Sequence, residues 1–308
     1  MRAKSSCLHP RLSGVISALV TPMTNKDTVD HDQLAKVVDA QIRAGIDGVI
    51  PLGSTGEFYA LTSEEREQVL QTVLRAAFGR VPVIAGANAS STRDVIAFAR
   101  QAERLGCDGV MLAAPYYSLP QPEELFAHFR AVNDVIGVPI MLYNYPGRTG
   151  VDMKPAFIAR LAELRNVASV KESTGEMVRI TELLRLCGER ISVLCGCDTI
   201  ALESLMIGAA GWVGGIANVL PRSHAKLNDL AVAGDWKAAR KLFFELLPTF
   251  ELMEGGGKYT QWVKAACGLM GQPCGAPRLP LAAASKAECA TLRAALLLCD
   301  EGRKALRR

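Results

Sequence analysis

The chain has 308 residues, 49% hydrophobic and 21% charged, which is enough apolar material for a sizeable globular core. A formal net charge of +4, with Lys and Arg scattered among Asp and Glu, leaves no basic face for nucleic acid, and no apolar run reaches the length of a membrane span. Nine cysteines without regular spacing, in a chain this long, exclude a cystine scaffold and predict reduced thiols in a cytoplasmic compartment.

Residues 1–13 read as an N-terminal tail, because Arg11, Ser13 and Gly14 interrupt any signal-peptide core. Short Val- and Ile-rich runs then alternate with longer segments of helical periodicity. GVISALV (14–20) precedes a helix opened by Asp30 as N-cap and closed by Gly45. DGVIPLG (47–53) precedes a helix whose start is marked by Ser63 and an acidic first turn. The couplet recurs with PVIAGAN (82–88), DGVMLAAP (108–115), PIMLYNYP (139–146), VASVKES (167–173), ISVLCG (191–196) and GWVGGI (211–216), each followed by a helical pattern.

Alternating strands and helices imply parallel pairing through right-handed crossovers. Eight couplets with short connections predict an α/β protein, a (β/α)8 TIM barrel over 14–233. A doubly wound sheet would need a Gly-rich phosphate turn after its first strand, and VTPMTNKD is not one. The helical patterns over 234–308 predict a C-terminal appendage.

In such a barrel the reactive side chains gather at the C-terminal ends of the strands. Lys171 ends the sixth apolar run, where an unpaired ammonium is costly to bury. Strand alternation places Val167, Ser169 and Lys171 on one face, so Lys171 is expected at the barrel mouth. Desolvation there would lower its pKa from about 10.4 and leave a neutral amine able to form a Schiff base with a carbonyl. On position alone, a structural ion pair or a snorkelling surface lysine stays open. Tyr143, at the end of the neighbouring strand, supplies a phenol that could carry protons during carbinolamine formation and dehydration. Its alternative is a barrel-end aromatic bonded to backbone.

GSTGE (53–57) suits a carboxylate or phosphate cradle, with backbone approach at Gly53 and Gly56 and donors from Ser54 and Thr55. It lacks the Gly-Lys-Ser/Thr ending of a nucleotide loop. Arg148, after the Pro146-Gly147 turn, could meet a substrate carboxylate or form a surface ion pair. Cys195-x-Cys197 has no second pair and reads as strand-end packing. The four histidines are scattered, with neither HExxH nor a GxSxG elbow present, so no metal is expected.

Taken in order, GSTGE, PYY (115–117), LYNYPGRTG (142–150) and SVKESTG (169–175) resemble the dihydrodipicolinate synthase / N-acetylneuraminate lyase family. The resemblance implies a (β/α)8 barrel with C-terminal helices and a homo-oligomer, commonly a tetramer, although a dimer would also fit. It implies a Schiff base on a 2-oxo acid with no metal or organic cofactor. Lys171 matches the Schiff-base lysine and Tyr143 the proton-relay phenol. Thr55 would link Tyr143 to Tyr117, which the synthases lend across a subunit interface. The Ser54 and Thr55 amides match the pyruvate carboxylate site and Arg148 the arginine for the second substrate. Gly196 and Val213 match residues lining the lysine pocket.

The synthases of this family condense pyruvate with aspartate semialdehyde. Three departures bear on the substrate. Ser54 replaces a threonine, and Phe58-Tyr59 is bulkier than usual. GGGKYTQWVKAACG (255–268) replaces an Asn-Pro-x-Pro-x-Lys stretch. That last segment is more similar to members acting as 4-hydroxy-pyrroline-2-carboxylate deaminases or as 2-keto-3-deoxy sugar-acid aldolases and dehydratases. A different class, a non-catalytic 2-oxo acid sensor, would not need the amine.

Overall fold

The computed structural model describes residues 9–307; residues 1–8 of the expected tail lie outside the described residues. In chain order the elements begin β1 (Gly14–Ala18), α1 (His31–Arg43), β2 (Gly48–Ile50), α2 (Ser63–Ala77), β3 (Ile84–Gly86), α3 (Thr92–Leu105), β4 (Gly109–Ala113) and α4 (Pro122–Asn133). They continue with β5 (Ile140–Asn144), α5 (Pro146–Thr149), α6 (Pro155–Leu161), β6 (Val167–Glu172), α7 (Met177–Cys187), β7 (Ser192–Cys195), α8 (Ala201–Met206) and β8 (Gly211–Gly214). Helices α9 (Pro221–Val232), α10 (Trp236–Gly255), α11 (Tyr259–Leu269), α12 (Lys286–Leu296) and α13 (Asp300–Leu306) follow.

The strands form one sheet in the order β2-β1-β8-β7-β6-β5-β4-β3. A parallel bridge from Val49 to Val83 joins β2 to the residue just before β3, so the two ends of that order meet. The fold is the expected (β/α)8 barrel, with helices continuing after the eighth strand. The strands are shorter than the apolar runs: the second stops at Ile50, ahead of Leu52 with φ +60°, and the third keeps only Ile84 to Gly86.

The chain divides into two compact units. One holds residues 9–13 and Ile84–Val213, the other Gly14–Val83 and residues 214–307. In the first, strands β4 to β7 are buried on both faces, with Val110, Leu112, Ile140, Leu142, Val170 and Val193 in the core. In the second, Ile16, Val49 and Ile50 are buried, as are Phe243 and Phe250 of α10 and Val263 of α11.

The helix starts follow local chemistry. Asp30 accepts from the Gln33 amide at 2.9 Å, as its N-cap role required. The second cap is Thr62, one residue before Ser63, in a reciprocal pair with Glu65.

His128, on α4, is buried, and its Nδ1 lies 2.9 Å from Thr92 Oγ1 at the start of α3. Burial pushes its pKa down from 6.5 to about 4. Between those values the folded chain holds fewer protons at this ring than the unfolded chain does. Its contribution to stability is therefore complete above about pH 6.5 and is lost as pH falls towards 4. At about 1.36 kcal/mol per unit, the loss is about 3 kcal/mol. Denaturant titrations at pH 7 and pH 4.5 should show His128→Gln losing less stability on acidification than the parent chain.

Candidate active site

The apolar run of β6 ends in Lys171 and that of β5 in Tyr143, and parallel pairing sets these two residues opposite each other. Both are only 6% exposed. Lys171 Nζ sits 4.6 Å from the centroid of the Tyr143 ring, so amine and phenol share one buried position. The juxtaposition expected from the sequence is present.

The alternation expected along β6 is interrupted. Ile140 pairs with Val167, but Met141 pairs with Ser169, so β6 carries one extra residue at this point. Ser169 and Lys171 therefore match Met141 and Tyr143, whereas Val167 matches Ile140 across the irregularity.

Next to this pair lies Gly196, whose amide donates to the Glu172 carbonyl at 2.7 Å. A Cβ at Gly196 would strike Ser173 Oγ and come within 2.9 Å of Lys171 Cγ, so only glycine lets the chain after β7 approach the lysine stem. Val213 is fully buried on β8. Arg148 is exposed on the one-turn helix α5, which follows β5 directly. Beyond α5, the Arg179 guanidinium grips Asp152 with two bonds, at 3.0 and 2.8 Å. That pairing holds the Asp152 carboxyl down at about 2.

Tyr117 is placed differently from the rest. It has φ +76° in the loop after β4 and is 95% exposed, so within one chain it does not pack against Lys171 or Tyr143.

The cradle loop belongs to the other unit. Thr55 is buried and Ser54 half-buried. Gly56 has no room for a side chain, because a Cβ there would lie 2.9 Å from the Leu19 carbonyl. The Gly56 carbonyl accepts from Thr21 Oγ1 at 2.7 Å, which pins the loop to the chain after β1. At the end of β8, a Cβ on Gly215 would lie 2.6 Å from the Tyr259 hydroxyl and 3.0 Å from Thr55 Oγ1. The first residue of α11 thus brings its phenol to the same glycine that the Thr55 hydroxyl flanks.

Two functional candidates escaped the sequence reading. Glu57, fully buried with φ +55°, receives Lys264 Nζ at 2.6 Å on Oε1 and the Arg278 amide at 2.8 Å on Oε2. Lys264 also donates to the Ala276 carbonyl at 3.0 Å. The structural ion pair considered for Lys171 therefore exists, but on another lysine. A sequence signal was available: Lys264 lies among Val263, Ala266 and Cys267, which are buried with it on α11. Arg278 extends the network to Glu65, whose carboxyl the guanidinium holds below its ordinary value.

The sequence profile of the dihydrodipicolinate synthetase family matches residues 11–297. The chain belongs to that family. It is 42% identical over 283 residues to the 4-hydroxy-tetrahydrodipicolinate synthase of Pelobacter propionicus, an alignment covering 92% of this chain and 97% of the relative. The synthase of the same name from Geotalea daltonii is 42% identical over 274 residues, covering 89% and 94%. Among solved structures, dihydrodipicolinate synthase from Aquifex aeolicus superposes with a TM-score of 0.89 at 34% identity, covering 92% of this chain and 97% of that one. The Thermotoga maritima synthase gives 0.89 at 32% identity, covering 93% and 98%. The chain is accordingly an enzyme, a lyase with a dihydrodipicolinate synthase-like function.

Among the described residues no His, Cys, Asp and Glu group is arranged to hold a metal ion, and no helix is long and apolar enough to cross a membrane.

Removing one partner of a buried ion pair strands the other charge. Lys264→Met should cost roughly 3–5 kcal/mol of unfolding free energy. Glu57→Leu combined with Lys264→Met should cost less than Lys264→Met alone. Equilibrium urea unfolding of the two variants checks this order.

Proposed function

We propose that the enzyme forms a Schiff base between Lys171 and pyruvate or a related 2-oxo acid, and then makes or breaks a bond at the carbon beside the imine. The observation carrying this reading is the buried contact of Lys171 Nζ with the Tyr143 ring, 4.6 Å from its centroid. A neutral amine adds to the 2-oxo carbon to give a carbinolamine. The hydroxyl then leaves as water, with a proton delivered through the Tyr143 phenol. Loss of a proton from the adjacent carbon gives an enamine, which attacks the carbonyl of a second substrate. Hydrolysis of the resulting imine returns the amine, so no metal or organic cofactor is called for.

The remaining roles follow the family pattern. The Ser54 and Thr55 amides hold the 2-oxo acid's carboxylate, and Gly196 and Val213 shape the space around the lysine. Thr55 takes the proton-relay role that the family pattern gives it. Arg148, exposed at the end of β5, receives the second substrate's carboxylate.

The relatives' name, 4-hydroxy-tetrahydrodipicolinate synthase, favours the synthase reading, in which the family resemblance makes aspartate semialdehyde the second substrate. One observation favours a second reading, a deaminase or aldolase working on a hydroxylated acid: the GGGKYTQWVKAACG segment, which replaces the Asn-Pro-x-Pro-x-Lys stretch, brings the Tyr259 phenol up to Gly215, which Thr55 Oγ1 also flanks. The exposed Tyr117 supports a homo-oligomer in which a neighbouring chain covers it. Eight cysteines outside any disulfide, among the described residues, support a reducing, cytoplasmic setting.

Borohydride added in the presence of pyruvate should fix one adduct, with its mass on the peptide containing Lys171. An adduct on another lysine, or none with any 2-oxo acid, would sink the proposal. A panel pairing pyruvate with aspartate semialdehyde, and offering pyrroline carboxylates and sugar acids separately, then selects the substrate.

Arg148→Ala should raise KM for the second substrate at least about tenfold, the scale of a lost charge-assisted hydrogen bond, while KM for pyruvate stays unchanged. Steady-state kinetics with each substrate varied in turn decides it.

A further inference from the structure

Directly behind the Lys171–Tyr143 pair lies a second pair that the chemistry above does not use. The register that sets Tyr143 opposite Lys171 also sets Asn144 opposite Glu172. Side chains alternate along a strand, so Asn144 and Glu172 project from the other face. Both are 1% exposed. A carboxylate at that depth needs a reason and needs partners.

Its partners are complete. Asn144 Nδ2 donates to Glu172 Oε2 at 2.9 Å, and the Thr174 amide donates to Oε1 at 2.8 Å. Asn144 Oδ1 accepts from the Met153 amide at 3.0 Å. Only one orientation of the Asn144 amide satisfies both of its contacts, so the direction of each bond is determined. Burial raises the pKa of Glu172, while its bonds to Asn144 and Thr174 act the other way. Two backbone bonds complete the lattice: the Ser173 amide to the Asn144 carbonyl at 2.9 Å, and the Gly196 amide to the Glu172 carbonyl at 2.7 Å.

The strands need such a fastening. Their pairing already shifts by one residue between Ile140 and Met141, and a further one-residue slip would turn Lys171 to the opposite face from Tyr143. Beyond the shift only Met141 to Asn144 of β5 remain to hold the pairing. The Met153 contact ties in the far end of the loop that carries Arg148.

We propose that Asn144 and Glu172 are positioning residues: their amide–carboxylate bond locks the register that sets Lys171 against Tyr143 and anchors the Arg148 loop. The inference rests on the Schiff-base reading for its catalytic consequence, and on hydrogen-bond geometry for the lock itself.

Exchanging the two groups tests it. Asn144→Asp faces a carboxylate with a carboxylate. Glu172→Gln leaves a donor facing a donor at either Asn144 or the Thr174 amide. The double exchange restores every bond with one direction reversed. The amide introduced on β6 would accept from the Thr174 amide and donate to the carboxylate introduced on β5, which still accepts from the Met153 amide.

Each single variant should slow formation of the borohydride-trapped pyruvate adduct by about 10²-fold, the scale of a roughly 1 Å misplacement, and should lower kcat more than it raises the KM for pyruvate. The double variant should recover to within about tenfold of the parent chain. Singles that react at the parent rate, or a double no faster than the slower single, would overturn the lock.

Amide hydrogen exchange on the unaltered protein gives a readout that needs no variant to fold. The Met153 and Thr174 amides should exchange slowly together, and unprotected exchange at both would equally overturn the proposal. A parent chain that traps no 2-oxo acid would instead overturn the Schiff-base reading, leaving the exchange measurement to judge the lock.

Discussion

The register between β5 and β6 is the constraint on which the proposed chemistry depends. An amine and a phenol are useful to each other only when both stand on the same side of adjacent strands, at the same height. Lys171 and Tyr143 meet both conditions because they are direct partners in a parallel ladder. Hydrophobic burial alone could not choose this register. Both faces of these strands are buried, so a slip would exchange one apolar environment for another with little penalty. Polar groups make the choice instead, because a displaced Asn144 or Glu172 would lose its partner in a dry interior.

The unit carrying the GSTGE turn uses the same principle with full charges. Glu57 ends the GSTGE turn in a left-handed conformation, which a residue with a Cβ adopts at some cost. It is held by a lysine from α11 and an amide from the segment after it. A buried ion pair adds little net stability over an apolar substitute, but it tolerates few alternative arrangements. That fits a loop proposed to keep the Ser54 and Thr55 amides in place. The helices beyond the eighth strand therefore reach the cradle through Lys264 and Tyr259 and do more than enlarge the core.

Much of this was legible in the sequence, and the exceptions have physical causes. The eight couplets were readable because strands and helices differ in period. Lys171 stood out because a charge at the end of an apolar strand is costly. Lys264 is more deeply buried and did not stand out, since a lysine within a helical pattern ordinarily reaches solvent. The extra residue in β6 was invisible: in VASVKE either choice of face presents apolar side chains, so a period of two carries no mark of its interruption. Tyr117 was assigned from family likeness, and its exposure within one chain shows why no pattern internal to that chain could place it. Asn144 and Glu172 lie within the quoted motifs, but a sequence carries no mark of the bond that two polar side chains make behind Lys171 and Tyr143.

The same contrast explains why mechanism is easier to read here than substrate. Lys171, Tyr143 and Thr55 are buried, and the space around Gly196 admits no side chain. Groups that would meet a second substrate stand in looser places. Arg148 is exposed on a single helical turn, and Tyr259 is half-buried at the first residue of α11. Loops and helix ends tolerate replacement because little packs against them. An enzyme with a buried, locked reacting pair and an exposed recognition rim can change its second substrate without disturbing its first step.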